Sequence, residues 1–173
     1  MNEKGIYFAK NAFYELIKEV GGEWNDTKFR PLVVLIPSLE NPQIFWAIPM
    51  GDYNHRSEQQ KKRIKSYMER ADHDISSCFY HVGNTDKRSI FFVSDVVPIT
   101  VNYIEREYEV GAGKNKAQYI IKNQKLIAEL NRKVGRIISF EKGYRKTGRI
   151  KFRQHILGIF DRLEEELKAT DED

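Results

Sequence analysis

Cysteine is almost missing from this sequence: Cys78 is the single one in 173 residues. One thiol rules out an intramolecular disulfide framework and a cysteine-built zinc cluster, and it points to a reducing, cytoplasmic setting. Long apolar runs are missing too. Leu32–Ile36 and Ile90–Val93 fall far short of the ~20 residues that cross a bilayer. Met1–Lys10 carries no apolar signal core. A phosphate-binding P-loop is absent. Gly113-Lys114 resembles its end, but Tyr108 stands where the first glycine belongs and Asn115 where Ser or Thr belongs. His55, His73, His81 and His155 lack zinc-ligand spacing. Asp72-His73-Asp74 reads as a polar helix end rather than a ligand set. No serine sits in a nucleophile elbow. Neither a metal nor a cofactor is expected.

What is present is a core and an uneven charge. Forty per cent of residues are hydrophobic and 12% aromatic at a net charge of +4, which excludes a disordered chain and suits one domain over residues 1–173. Glu164–Asp173 holds six acids and one lysine, whereas Gly113–Arg153 holds thirteen bases and two acids. Lys61-Lys62-Arg63 with Lys65 forms a second basic run. Such a field attracts a polyanion, most commonly nucleic acid. A membrane surface suits it less, because the basic segments lack an opposing exposed aromatic face.

Hydrophobic periodicity gives the elements. Gly5–Phe8 is a short strand or extended lead-in. Phe13, Leu16, Ile17 and Val20 form a helical stripe that Gly21-Gly22 ends. Trp24–Phe29 is a polar connection. Leu32–Ile36 and Ile44–Ile48 read as buried strands around a turn, followed by a loop over Pro49–Arg56. Ser57 with Gln60 makes a capping box, and Ile64, Tyr67, Met68 and Ala71 give that helix its inner face. Cys78–Val82 and Ser89–Val97 are two further strands, joined by a turn at Gly83–Asp86 and ended by Pro98. Val101–Tyr108 is either a short helix or extended chain. Lys116–Ile138 is the clearest helix, with an apolar side (Ile120, Ile127, Leu130, Val134, Ile137) opposite a basic one. A loop at Gly143–Arg149 leads to a last helix carrying Phe152, Ile156, Phe160, Leu163 and Leu167, and then to a frayed acidic tail over about 168–173. Some five strands without a regular β-α-β repeat favour an α+β fold, a small bent sheet or barrel with surrounding helices.

Gly51-Asp52-Tyr53-Asn54-His55-Arg56-Ser57 joins a buried strand to a capped helix. It offers a carboxylate, a phenol, an imidazole and a guanidinium beside a helix start suited to phosphate. These are the parts for RNA scission by the ribose 2′-hydroxyl: a base for its proton, a cation for the phosphoryl oxygens, an acid for the leaving 5′-oxygen. The competing interpretation is a polar turn whose Asp and Asn satisfy backbone. Tyr7, Tyr53 and Tyr144 are candidates for stacking bases, although core or rim packing is the commoner role of any one tyrosine. His81 reads as a hydrogen-bonded structural histidine and Cys78 as core.

The order Gly5–Phe8, Arg30–Val34, Trp46–Met50, Phe91–Thr100 with Tyr103-Ile104, then a basic helix and a final helix, resembles the type III toxin–antitoxin toxins. These are the ToxN/AbiQ/CptN-like endoribonucleases, and the CptN-like branch is the nearest in layout. The resemblance implies a compact, bent antiparallel β-core similar to the MazF/Kid toxins. It implies metal-independent cleavage leaving a 2′,3′-cyclic phosphate. The implied partner is a small repeated pseudoknot RNA, which the toxin cuts and which then inhibits it in a closed toxin–RNA hetero-oligomer. The family's loop after the Ile-Pro strand often carries Thr/Ser-Ser and then Lys, where this chain has Gly51-Asp52. Either His55 and Arg56 take over those roles, or Lys61 reaches in, or other groups act. The expected catalytic groups are Asp52 or His55 as proton acceptor and Arg56 and Arg30 on phosphate. The expected RNA contacts are Tyr7, Tyr53, Asn54, Ser57, Lys61, Lys122, Lys125, Arg132, Lys133, Arg136, Tyr144, Arg145 and Lys146. The alternatives are a non-catalytic RNA- or DNA-binding module, or a MazF-like toxin neutralised by a protein.

Overall fold

A computed structural model describes residues 1–24 and 30–171. Most of the polar connection expected at Trp24–Phe29 therefore lies outside the described residues, as do residues 172–173. The fold is α+β, with nine strands and four helices among the described residues. β1 (Ile6–Ala9) leads into α1 (Asn11–Glu19), which buries Phe13, Tyr14, Leu16 and Ile17. Gly21, at φ +82°, ends α1 in the left-handed conformation that glycine adopts without penalty. β2 (Leu32–Pro37) and β3 (Phe45–Asp52) pair antiparallel, Val33 opposite Ile48 and Leu32 opposite Pro49. β3 is longer than the expected Ile44–Ile48. It absorbs Pro49–Asp52, because Met50, Gly51 and Asp52 find ladder partners in Phe91, Ile90 and Ser89.

α2 (Glu58–Met68) opens on the expected capping box of Ser57 and Gln60. Ile64 is its buried residue, and Ala71 lies beyond its end, exposed. Cys78 is buried as expected, but at the end of a 3-10 turn, Ile75–Cys78, rather than in a strand. Asp74 caps that turn through Ser76, which accounts for the Asp72–Asp74 triplet as a polar terminus. β4 (Tyr80–Asn84) and β5 (Arg88–Phe92) form a hairpin. The single strand expected over Ser89–Val97 is broken by a 3-10 turn at Val93–Asp95. β6 (Val97–Ile99) then resumes beside the first half of β3, with Pro98 inside it opposite Trp46. A 3-10 turn at Val101–Tyr103 precedes β7 (Ile104–Glu107), so both forms expected for Val101–Tyr108 occur. β8 (Glu109–Val110) and β9 (Ala117–Gln118) make a small separate ribbon.

The main sheet runs β4-β5-β3-β2-β1-β7, with β6 also on β3, and every pairing is antiparallel. The expected barrel is not closed, since β4 and β7, the two ends of the order, share no ladder. The sheet is nevertheless bent enough for a side chain to bridge its ends. The Tyr108 hydroxyl, just past β7, donates to Asp86 in the β4–β5 turn at 2.9 Å.

α3 (Gln124–Lys146) starts later and ends later than its pattern implied. Asn123 caps it by accepting the Leu126 amide, so Ile120 and Lys122 precede the helix, and Ile120 instead bridges Gly5. The expected loop at Gly143–Arg149 is helical as far as Lys146. α4 (Ile156–Asp171) excludes Phe152, which is buried in the connection, and continues through Lys168 rather than fraying there. The core lies among the sheet, α1, α3 and α4, with Trp46 stacked on Phe160 at 5.6 Å between centroids. Gln154, fully buried, clamps the sheet to α4 by donating to the Ser94 and Val96 carbonyls, each at 2.9 Å.

Three ionisable groups, Lys133, His81 and Glu141, lie in or against this core. Lys133 is 4% exposed and donates to the Tyr80 carbonyl at 2.7 Å; burial lowers its pKa. It stitches α3 to β4 and is not part of an outward stripe. Beside it, burial and the Lys133 charge lower the His81 pKa to about 4. The buried Nδ1 of His81 has no hydrogen-bond partner, so the expected bonded histidine is a neutral ring wedged into packing. Glu141 is 2% exposed and accepts from the Lys151 and Phe152 amides, fixing the α3–α4 connection. Burial raises its pKa in spite of those donors.

Lys133→Ala is expected to cost about 2 kcal/mol in urea unfolding, the scale for stranding a buried polar partner. The exposed Lys125→Ala should stay within about 0.5 kcal/mol; equal, small losses would return Lys133 to the surface. Glu141 holds its proton more tightly when folded than unfolded. Its stabilising share is present at pH below the ordinary glutamate range and is lost as pH rises through the raised value. The melting temperature of Glu141→Gln should therefore match wild type near pH 4 and exceed it at pH 7; a pH-independent difference would contradict this linkage.

Candidate active site

The end of β3 builds the site. Successive strand residues face opposite sides of a sheet, so Gly51 and Asp52 open onto different surfaces. On the Asp52 side, a tight turn follows. Asp52 Oδ1 accepts the Asn54 amide at 2.9 Å, and the Arg56 amide donates back to the Tyr53 carbonyl at 3.1 Å. The other oxygen, Oδ2, lies 3.5 Å from His55 Nε2 and 3.6 Å from Lys87 Nζ. Partial desolvation acts to raise the Asp52 pKa, but the Asn54 amide, His55, Lys87 and the His55 amide outweigh it and hold the carboxyl below its usual value. Asp52 is thus a weak base and a firm anchor, while His55, 83% exposed, keeps its ring edge open. A cavity of about 350 Å³ adjoins this group, lined by Arg30, Pro31, Met50, Gly51, Asp52, Lys87 and Tyr108. Burial, then the hydrogen bond to Asp86, push the Tyr108 pKa up to about 12, so its hydroxyl stays protonated at neutral pH.

On the Gly51 side two guanidiniums converge. A Cβ on Gly51 would lie 2.9 Å from Arg56 Nη2 and 3.2 Å from Arg30 Nη1. The two tips are therefore no more than about 6 Å apart. Both guanidiniums sit over the Phe92 ring, at 4.5 Å for Arg30 and 5.2 Å for Arg56. Among the described residues neither has a carboxylate within ion-pair distance, and the buried Nε of Arg56 has no hydrogen-bond partner. Burial, then the Arg56 charge, lower the Arg30 pKa, with Asp95 opposing and Arg153 adding. At an effective dielectric of ~20, two unit charges ~6 Å apart repel by about 3 kcal/mol. Each cation–π contact returns about 0.5–2 kcal/mol. The second arginine adds one such contact, which offsets the repulsion only in part, and an anion between the two arginines would remove it. Arg30 reaches both surfaces, since it also lines the Asp52 cavity.

The other expected residues divide. Tyr53 lies between Lys61, 5.6 Å from its ring, and Arg88, 5.0 Å away. Lys61 also pairs with Glu58. Asn54 is exposed beside His55. Ser57 does not offer an open anion cradle, because its hydroxyl takes the Gln60 amide and the Gln60 side chain takes the Ser57 amide. Tyr7 is no stacking platform: it is 3% exposed and its hydroxyl receives the Asn2 amide. Lys122 and Lys125 are exposed around the start of α3. Arg132 is held by Glu129, and Arg136 shares a shallow surface with His73. Tyr144 stacks on Phe140 at 4.9 Å, Arg145 pairs with Asp161, and Lys146 is exposed at the last turn of α3. None of the α3 cations lines the Asp52 cavity.

Lys87, Arg88, Phe92 and Tyr108 are site residues that the sequence pattern did not single out. Phe92 follows buried Phe91 and looks like core by composition; only the register Met50–Phe91 turns Phe92 toward Gly51. No protein-family model matches the chain, and no curated protein does.

Gly51→Ala would crowd the far ends of two flexible side chains and touch the Phe92 ring at an ordinary 3.6 Å. It is expected to leave the melting temperature within a few degrees of wild type and to weaken binding of a non-cleavable 2′-O-methyl RNA by splaying Arg30 from Arg56. Unchanged affinity in fluorescence anisotropy would contradict the convergence of the pair on one anion.

Proposed function

We propose that this protein is a metal-independent endoribonuclease, the toxin of a type III toxin–antitoxin pair. The observation that carries the proposal is the Asp52–His55 pair set across one strand end from two arginines that have no carboxylate at ion-pair distance among the described residues. In this mechanism Asp52 orients His55, and His55 takes the ribose 2′-proton. The 2′-oxygen attacks phosphorus, Arg30 stabilises the charge on the phosphoryl oxygens, and the bond to the 5′-oxygen breaks. That oxygen takes its proton from Lys87 or Tyr108. The products are a 2′,3′-cyclic phosphate and a 5′-hydroxyl. Arg56, which converges with Arg30 beside Gly51 and over Phe92, shares that phosphate. Because the nucleophile belongs to the substrate, the scheme needs no bound ion.

The bent sheet, spanned by the Tyr108–Asp86 bond, supports a MazF/Kid-like core in an open form. The basic surface of Lys122, Lys125, Arg136 and Lys146 suits the backbone of a folded RNA and supports a small repeated pseudoknot RNA as the inhibiting partner, in a closed toxin–RNA hetero-oligomer within the cytoplasm. Among the described residues no helix is long and apolar enough to cross a membrane.

Purified protein incubated with cellular RNA and a chelator should generate cyclic-phosphate ends, and His55→Ala should slow their appearance by roughly 100-fold or more. Intact RNA would leave a binding module in place of an enzyme. Co-purification with a protein and not with RNA would replace the RNA inhibitor.

A further inference from the structure

Helix periodicity puts Arg63, Tyr67 and Arg70 on one face of α2 and its last turn, at spacings of four and three. Sheet register puts Tyr80 directly opposite Phe92. The two sets meet. Phe92 and Tyr80 lie edge to face at 6.3 Å, Tyr80 and Tyr67 at 5.5 Å, and Tyr67 stacks on Phe79 at 5.7 Å. All four rings are half-buried. The guanidinium of Arg70 covers the Tyr67 ring at 4.1 Å, and that of Arg63 stands 5.9 Å from it. The strip begins where Arg30 and Arg56 sit over Phe92, with the Arg56 Nε buried and unpartnered. Its acids are committed: Asp95 to Arg153 at 3.1 Å, and Asp74 to Ser76. Arg63 has no carboxylate partner among the described residues.

Aromatic packing that only fixed a helix to a sheet would not require guanidiniums along its open side. Rings alternating with guanidiniums are how proteins grip single-stranded nucleic acid without regard to sequence, stacking bases and neutralising the backbone together. We infer that this strip is a single-stranded RNA path, running from the Arg30–Arg56 pair across Phe92 and Tyr80 to α2, where the Arg70 guanidinium, lying on the Tyr67 ring, offers a stacking plane and Arg63 and Arg70 meet phosphates. The inference rests on the RNA-cleaving function proposed above and adds to it a flanking subsite outside the Asp52 cavity. About two or three nucleotides fit a flat surface of this kind. The strip supplies affinity beside the cut and leaves base choice to the cavity.

The test is fluorescence anisotropy with labelled 2′-O-methyl RNA of randomised sequence, as a short oligomer of about four nucleotides and a long one of about twelve. The variants are Arg63→Gln alone and Arg63→Gln with Arg70→Gln. The double variant is expected to bind the long oligomer at least roughly tenfold more weakly, and to lower its log-affinity against log-salt slope by about 1.4, at ~0.7 per phosphate contact on a single strand. Its affinity for the short oligomer should match wild type. Arg63 is exposed, so the single variant is expected to lower the slope by about 0.7 whatever Arg70→Gln does to the hydrogen bond that Arg70 Nη1 donates to Ser76 Oγ at 2.7 Å. Wild-type affinity and slope for the long oligomer in both variants would overturn the path while leaving the cavity untouched. Failure of the wild type to hold either oligomer would instead remove the RNA ligand itself.

Discussion

Two positive charges are held over one phenylalanine ring, and much of the site's chemistry depends on that arrangement. Arg30 and Arg56 come from opposite ends of β3's neighbourhood, one before β2 and one after the turn that follows Asp52. They meet because Gly51 has no side chain to keep them apart and because Phe92 gives both a flat, electron-rich surface. The ring does not cancel their repulsion. A folded chain retains such a pair at a cost, and the cost falls when a phosphate enters. The neighbouring carboxylate, Asp52, is kept from neutralising them by the alternation of the strand: it faces the other way, toward His55 and Lys87. The same alternation therefore separates a cationic surface from an acid–base pair while leaving them one residue apart.

The sheet's bend gives that end of the molecule its concavity. Antiparallel strands twist and coil as they add, and here the two ends of the strand order approach without sharing a backbone ladder. The Tyr108–Asp86 hydrogen bond spans the gap. Tyr108 thus serves the fold and lines the cavity at once. On the other side of β5, α2 leans its Tyr67 on Phe79 and Tyr80, so one hairpin carries both the rim of the cavity and the base of the aromatic strip.

The β2–β3 pair, the capped helix after Ser57 and the burial of Cys78 were legible because local signals and tertiary packing agree there. The boundaries of α3 were not. Ile120 falls in phase with the helix's apolar side, yet it pairs with Gly5 as extended chain, and the cap at Asn123 is the local signal that competes with that phase. Lys133 has the opposite lesson. It lies seven residues after Leu126, on the buried side of α3 by helical phase, so its position outranked its charge. In the candidate site, the turn residues Asp52, His55 and Arg56 stood out by their chemistry. Phe92 and Lys87 did not, because they come from a different hairpin and only strand register brings them alongside β3. Tyr7, named among the RNA contacts with core packing as its other reading, is core, and its hydroxyl is satisfied locally by the Asn2 amide.

The central claim is that the Arg30–Arg56 pair, which has no carboxylate at ion-pair distance among the described residues, is built to receive an anion. Thermal melting of wild type and Arg56→Gln, each with and without a 2′-O-methyl RNA trinucleotide, tests it most directly. Relief of repulsion predicts that Arg56→Gln melts at or above the wild-type temperature without RNA, and that RNA raises the melting temperature of the wild type well beyond that of the variant. A variant that melts below wild type without RNA, and gains as much from the trinucleotide, would contradict the claim.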